Sequence, residues 1–193
     1  AVDPGEEFAG MNLASLIEHH DAARVALVVG DRTVRYGDLR MRVASLAQAL
    51  RASSAGVGDR VAIVAGNDDD FVVAYLAVLS AGSIAVPLNP ASPSPELARQ
   101  LAVVAPTVAL VASRSSAAVL AAGEVAGAVV VLDGYGVEGG VSAGVVSLAS
   151  FVDRGRVAAA EFTDPSVGGD DPAVLLFTSG TTGTAKGATR THR

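Results

Sequence analysis

Residues 61–65, 84–88, 107–112 and 128–132 are short aliphatic runs, rich in valine, and they alternate with stretches of helical character. None of the runs alternates apolar with polar residues. A strand reads that way when both of its faces are buried, whereas a strand with one wet face shows a two-residue period. Strand–helix–strand order supplies the crossovers that parallel strands need and lays helices over both faces of the sheet. The chain is therefore predicted to be α/β, with a mostly parallel sheet covered on both sides.

The intervening helices follow from periodicity and capping. Residues 70–79 are apolar almost all round and predict a central helix. Asn67, Asp68, Asp69 and Asp70 precede it. They can be read as a metal cluster, but a calcium loop needs ligands at wider alternating spacing. The preferred reading is that Asn67 or Asp68 caps the helix and the other acids sit at its positive end. Ser94 is expected to cap a helix with Pro95 at its first position and Glu96 in its first turn, ending near Pro106. Residues 115–122 predict another helix.

Upstream, residues 13–20 have a helical spacing of apolar positions. Residues 25–29 and 32–36 read as a short hairpin about Gly30-Asp31. Residues 38–52 carry the stripe Leu39, Val43, Leu46, Ala47 and Leu50, which places Arg40, Arg42 and Arg51 on the wet side. Downstream, Gly134 to Gly139 matches G-x-G-x-x-G after a strand. A dinucleotide site would also need a helix to follow. Gly140, Val141, Ser142, Ala143 and Gly144 are poor helix material, so a surface loop is expected. Residues 148–154 read as a short helix, 163–171 as turns, and 173–177 as a last buried strand.

Half the residues are hydrophobic and 18% are charged, less than the usual quarter or so. Such a chain is expected to expose apolar surface that meets something else, and to self-associate when that surface is bare. The net charge of −6 and the absence of a basic patch argue against nucleic acid as a partner. No cysteine is present, which excludes disulfides and thiolate chemistry. His19, His20 and His192 are too few for a metal site, and the first two are expected to face solvent. Residues 71–88 lack charge, but Gly82 and Pro87 interrupt them, so a buried helix followed by a strand fits better than a membrane span. No secretory signal is expected. Residues 1–10 are expected to be a vector-derived or disordered leader, with Met11 as the natural start. Residues 11–193 are read as one α/β unit.

The chemistry concentrates after the last strand, in Phe177-Thr178-Ser179-Gly180-Thr181-Thr182-Gly183-Thr184-Ala185-Lys186-Gly187. Glycines let a backbone adopt conformations closed to other residues and let a ligand approach the main chain. Successive N–H groups can then form an anion-binding nest. Thr178, Ser179, Thr181 and Thr182 add hydroxyl donors. Lys186, the only lysine in a chain that otherwise uses arginine, adds a positive charge. This set suits a polyphosphate. It is not a Walker A loop, because Ala185 and Gly187 stand where that motif needs glycine and Ser/Thr. The bland alternative is a Ser/Thr/Gly-rich surface turn.

The stretch F-T-S-G-T-T-G-x-x-K-G resembles the phosphate-loop signature of the adenylate-forming superfamily, which includes acyl- and aryl-CoA synthetases, peptide-synthetase adenylation domains and luciferases. Ala185 departs from the proline usual there. The run from Leu79 to Pro90 and the segment Gly58-Asp59-Arg60-Val61-Ala62-Ile63 resemble two further motifs of that superfamily, in the same order. The likeness covers nearly all of this chain and the first third or so of a typical member.

The resemblance implies the N-terminal subdomain of an AMP-binding ligase, ending just after the phosphate loop. It implies ATP with magnesium, a carboxylic acid substrate, and coenzyme A as the acceptor. Thr178, Ser179, Gly180, Thr181, Thr182, Gly183, Lys186 and Gly187 would bind the ATP phosphates. The pattern is most similar to fatty acyl-CoA synthetases. A carrier-protein acceptor, a non-catalytic polyphosphate-binding module and a bare structural fragment stay open. The family's adenine pocket, magnesium-binding acid, ribose-binding aspartate and C-terminal catalytic lysine fall outside these residues. The chain alone is therefore expected to be inactive and to need the rest of the enzyme. Its expected location is cytoplasmic, with peripheral membrane association left open.

Overall fold

The computed structural model describes residues 12–53, 55–132, 145–158, 167–178 and 186–193. In chain order it has a 3-10 helix (Leu13–Ile17), β1 (Val25–Val29), β2 (Arg32–Arg35), α1 (Tyr36–Ala52), β3 (Arg60–Val64) and α2 (Asp69–Ser80). There follow β4 (Ile84–Pro87), α3 (Ser94–Val104), β5 (Val108–Val111), α4 (Ser113–Ala122), β6 (Val129–Val131), β7 (Val145–Ser147), α5 (Leu148–Ala158), β8 (Pro172–Thr178) and β9 (Lys186–Thr191). Strands β1 and β2 form the expected hairpin, with Val29 opposite Arg32. The main sheet runs β7-β6-β5-β3-β4-β8-β9, parallel throughout except that β9 is antiparallel to β8.

The aliphatic runs are explained by a core on each face. Along β3, Val61 and Ile63 pack into a cluster with α1, α2 and α5, while Ala62 and Val64 pack into a second cluster with α3 and α4. All four are fully buried. Burial of each large aliphatic side chain is worth about 1.5–3 kcal/mol, so the central strands dominate the stability of the sheet. Crossing of α5 over α1 is tight: a Cβ built on Gly155 would stand 2.7 Å from Ala49 Cβ and closer still to its Cα. Glycine is what lets those two helices approach.

Helix α2 starts as its sequence predicts. The Asp68 carboxylate accepts from Phe71 N–H at 2.9 Å, the geometry of an N-cap. The next two acids do more than lie near a helix dipole. Asp69, 5% exposed, accepts from Arg42 at 2.8 Å and from Arg32 at 2.9 Å, and Asp70 accepts from Arg42 at 2.5 Å. Burial alone would raise the Asp69 pKa, but the hydrogen bond and charge of Arg42 outweigh it and hold the group below its usual value. The acids are thus engaged by guanidinium groups that tie the hairpin and α1 to α2.

Several expectations need correction. The α1 arginines are partly buried and engaged, and do not simply face water. Arg42 is part-buried in the ion cluster, Arg40 donates to Ile17 O and His20 O at 2.9 Å each, and Arg51 donates to Ser80 O at 3.0 Å. Long stems cross apolar surface and bring a cation to carbonyls left free at a chain end. Ser94 is the first residue of α3 and not its cap; Pro93 holds the cap position without a side-chain bond. The N-terminal helix is a 3-10 segment shorter than expected, α5 runs beyond residue 154, and β7 and β9 were not expected. Among the described residues no helix is long and apolar enough to cross a membrane. The G-x-G-x-x-G stretch, Gly134 to Gly139, and residues 1–10 lie outside the described residues.

Candidate functional site

Strands β8 and β9 frame the glycine- and hydroxyl-rich stretch. Pro172 opens β8, where a missing N–H is tolerated. Ala173 and Val174 are buried against β4, whose Ala85 pairs with Val174. Burial then declines along the strand: Leu175 and Phe177 lean on the α3/α4 side, and Leu176 is 42% exposed. The strand thus leaves the core as it reaches Thr178. There Thr178 pairs with Lys186 and Phe177 with Gly187, in antiparallel register.

Of the sequence-predicted site residues, the structure brings Thr178, Lys186 and Gly187 together at the mouth of one ladder. Ser179, Gly180, Thr181, Thr182 and Gly183 lie outside the described residues. Gly187 has a packing reason to be glycine. A Cβ there would stand 3.1 Å from Leu175 Cδ2, so any side chain must push that leucine aside. The mouth sits at the carboxyl end of β8, the same edge at which β3, β4 and β5 end, because these strands are parallel. In open α/β sheets that edge is where ligands bind.

The donor set tests what can be held there. Hydroxyls, main-chain N–H groups and one lysine fit an anion such as a polyphosphate. Residues 178–187 contain no carboxylate, so magnesium would enter with the nucleotide and need acids from elsewhere. Among the described residues no three His, Asp or Glu side chains gather as a metal site.

A residue with no obvious sequence signal completes the frame. His192, just beyond β9, is 6% exposed, and its Nδ1 accepts the Leu13 N–H at 3.0 Å. Burial pushes its pKa below the usual histidine value, against a smaller upward pull from Asp171. His19 and His20 are exposed as expected, with His20 packed on Tyr36 at a ring distance of 4.2 Å. Counting histidines for metal chemistry could not reveal the buried one, since nothing local marks it.

The comparisons agree with this geometry. The model of the AMP-binding enzyme family matches residues 17–193. A 4-coumarate–CoA ligase-like protein of Oryza sativa subsp. japonica is 37% identical over 167 residues, covering 83% of this chain and 28% of that protein. A fatty acid–[acyl-carrier-protein] ligase, MmaC, of Mycobacterium marinum is 31% identical over 166 residues, covering 85% of this chain and 29% of that one. The structure of ATP-bound MatB from Rhodopseudomonas palustris superposes with a TM-score of 0.73 at 29% identity, over 94% of this chain and 35% of that chain. The chain spans roughly a third of the length of each of these three proteins. The two-faced parallel sheet, the phosphate-type stretch at its carboxyl edge and the family match together show that this chain belongs to the AMP-binding enzyme family, the adenylate-forming ligases.

Proposed function

We propose that these residues are the N-terminal part of an ATP-dependent acid–thiol ligase of the fatty acyl-CoA synthetase type. The observation that carries the reading is the ladder mouth, where Thr178 and Lys186 stand paired at the carboxyl edge of the sheet with the glycine–hydroxyl stretch between them. In the proposed reaction a substrate carboxylate oxygen attacks the α-phosphorus of ATP. The bond to the bridging oxygen breaks, pyrophosphate leaves, and an acyl-adenylate forms. A thiol then attacks the acyl carbon and AMP departs.

The share of this chain is electrostatic. Main-chain N–H groups, the hydroxyls of Thr178, Ser179, Thr181 and Thr182, and the Lys186 ammonium would hold the β- and γ-phosphates and stabilise charge on the departing pyrophosphate. Magnesium, when bound with the nucleotide, neutralises phosphate charge. Coenzyme A is the proposed acceptor. A carrier protein is the second reading, favoured by the similarity to a fatty acid–[acyl-carrier-protein] ligase. We place the enzyme in the cytoplasm.

We propose that these 193 residues alone form no adenylate and self-associate: the resemblance expects the adenine and ribose sites outside them, and apolar side chains such as Leu176 are exposed. Pyrophosphate exchange by the full-length protein against a panel of carboxylic acids tests the activity. Exchange with no acid in the panel would sink the ligase reading. Hydroxamate trapping with sedimentation of the short chain tests the rest. Turnover by a monomeric sample would show that these residues suffice, and tight ATP binding without turnover would favour a non-catalytic phosphate-binding module.

A further inference from the structure

We propose that His192 is a positioning residue, which locks the register of β9 and so fixes how Lys186 meets Thr178 at the site. The inference rests on the ligase reading above. Strand β9 has no hydrophobic pattern of its own: Gly187, Ala188, Thr189, Arg190 and Thr191 are all exposed. Its ladder with β8 already shifts register between Pro172 and Val174. A strand that is polar on both faces is weakly specified, and a slip of one residue turns every side chain to the opposite face. The close fit of Gly187 against Leu175 constrains the register from within, and a contact beyond the strand adds to it.

His192 makes that contact. Its buried Nδ1 holds the Leu13 N–H, 179 positions away in sequence. Leu13 opens the 3-10 helix, which is too short to hold itself in place. That helix is anchored in turn: Asn12 Nδ2 donates to Leu79 O at 2.8 Å, and Arg40 donates to Ile17 O at 2.9 Å. The end of β9 is thus pinned to a body built on α1 and α2. Two main-chain bonds close the wrap, His192 N–H to Asp171 O at 3.2 Å and Arg193 N–H to Gly169 O at 2.9 Å. Because Nδ1 accepts, the network assigns the ring as neutral with its proton on Nε2. Nε2 has no partner among the described residues, so the ring's polar contact is the one through Nδ1. A one-residue slip would bring Thr191 or Arg193 to this place: arginine has no acceptor, and the Thr191 hydroxyl can accept but stands on a shorter side chain than the imidazole Nδ1.

The test is a double-mutant cycle in the full-length ligase, read by ATP-dependent pyrophosphate exchange. His192→Ala should lower kcat/KM for ATP by about ten-fold, the scale of one lost hydrogen bond. His192→Asn, whose side-chain oxygen can stand near the place of Nδ1, should restore most of it. With Lys186→Ala already present, His192→Ala should change the rate less than about two-fold, because coupled residues are not additive. Leu13→Pro removes the donor at a first helical position, where proline is tolerated and Asn12 is already extended. It should reproduce the loss even if His192→Ala fails to fold. Wild-type kinetics in both His192→Ala and Leu13→Pro, or effects of His192 and Lys186 that simply multiply, would overturn the proposal. Wild-type kinetics in Lys186→Ala would overturn the phosphate-loop reading and the proposal together. An impaired Lys186→Ala beside silent His192→Ala and Leu13→Pro variants overturns the proposal alone.

Discussion

Strands β3 and β9 belong to one sheet and obey opposite rules. In β3 the residues Val61, Ala62, Ile63 and Val64 are fully buried, with a core on either side. In β9 the residues from Gly187 to Thr191 are exposed, and β8 is the neighbour that pairs with it. Packing alone dictates β3. Strand β9 is defined by backbone bonds and by what happens just beyond its end. The first is where stability resides, and the second is where the proposed phosphate-binding groups are presented.

The largest effect should therefore come from the centre. Ile63→Ala should destabilise the chain by about 2–5 kcal/mol through lost burial and a residual cavity. Urea denaturation followed by circular dichroism measures it. A cost below about 1 kcal/mol would mean that β3 is not the packed centre described here.

The same contrast explains which elements were legible. Two-sided burial forces an unbroken aliphatic run, so β3, β4, β5 and β6 stand out in the sequence and their parallel order follows. Strand β8 was legible for the same reason at its buried end. Strand β7 spans Val145–Ser147 and merges into a glycine-rich stretch, too short to carry a pattern. The G-A-T-R-T sequence of β9 has no apolar period to read. The α1 stripe showed which residues enter the core, but a stripe says nothing of where a flexible arginine head finds its acceptor. That depended on Asp69 and on the carbonyls of Ile17 and His20, which tertiary structure alone brings near. At the site, composition indicated the chemistry of residues 178–187. The pairing of Thr178 with Lys186 and the pin at His192 are long-range facts with no local signature.

At the far end of the sheet from β9, a second substitution sharpens the contrast. Gly155→Ala would place a methyl against Ala49, where backbone and side chain leave no room. Helix α5 must then move off α1, at a cost of about 1–3 kcal/mol. Thermal unfolding of the variant measures this. An unchanged midpoint would show that the α1–α5 contact is loose.

A smaller effect belongs to the edge and depends on pH. The folded-state pKa of His192 lies below its ordinary 6.5, because burial disfavours the charged ring. Between the two values the unfolded chain binds the proton first, so stability rises with pH. The contribution is fully present above 6.5 and is lost as pH falls through the folded value. His192→Asn should flatten that part of the profile. Urea midpoints measured down from neutral pH, in wild type and variant, make the comparison; parallel curves would show that the ring does not titrate as described. Asp69 acts lower on the scale. Its folded pKa is below 3.8, so its share of stability is present above that value and disappears as pH falls through the folded one.

The smallest effect is the counterpart of the first. Thr189 pairs with Leu175 across the ladder, but its side chain is exposed and no other described strand borders β9. Thr189→Ala keeps the main-chain bonds and removes a hydroxyl and a methyl that water already reaches. It exchanges a β-branched residue for a weaker strand former, which costs little at an edge. The change in stability should stay within about 0.5 kcal/mol. Urea denaturation at constant m-value is the measurement. A loss above about 1 kcal/mol would mean that the β9 side chains are packed, and that the register of this strand is set by burial of its own residues and not by the histidine beyond it.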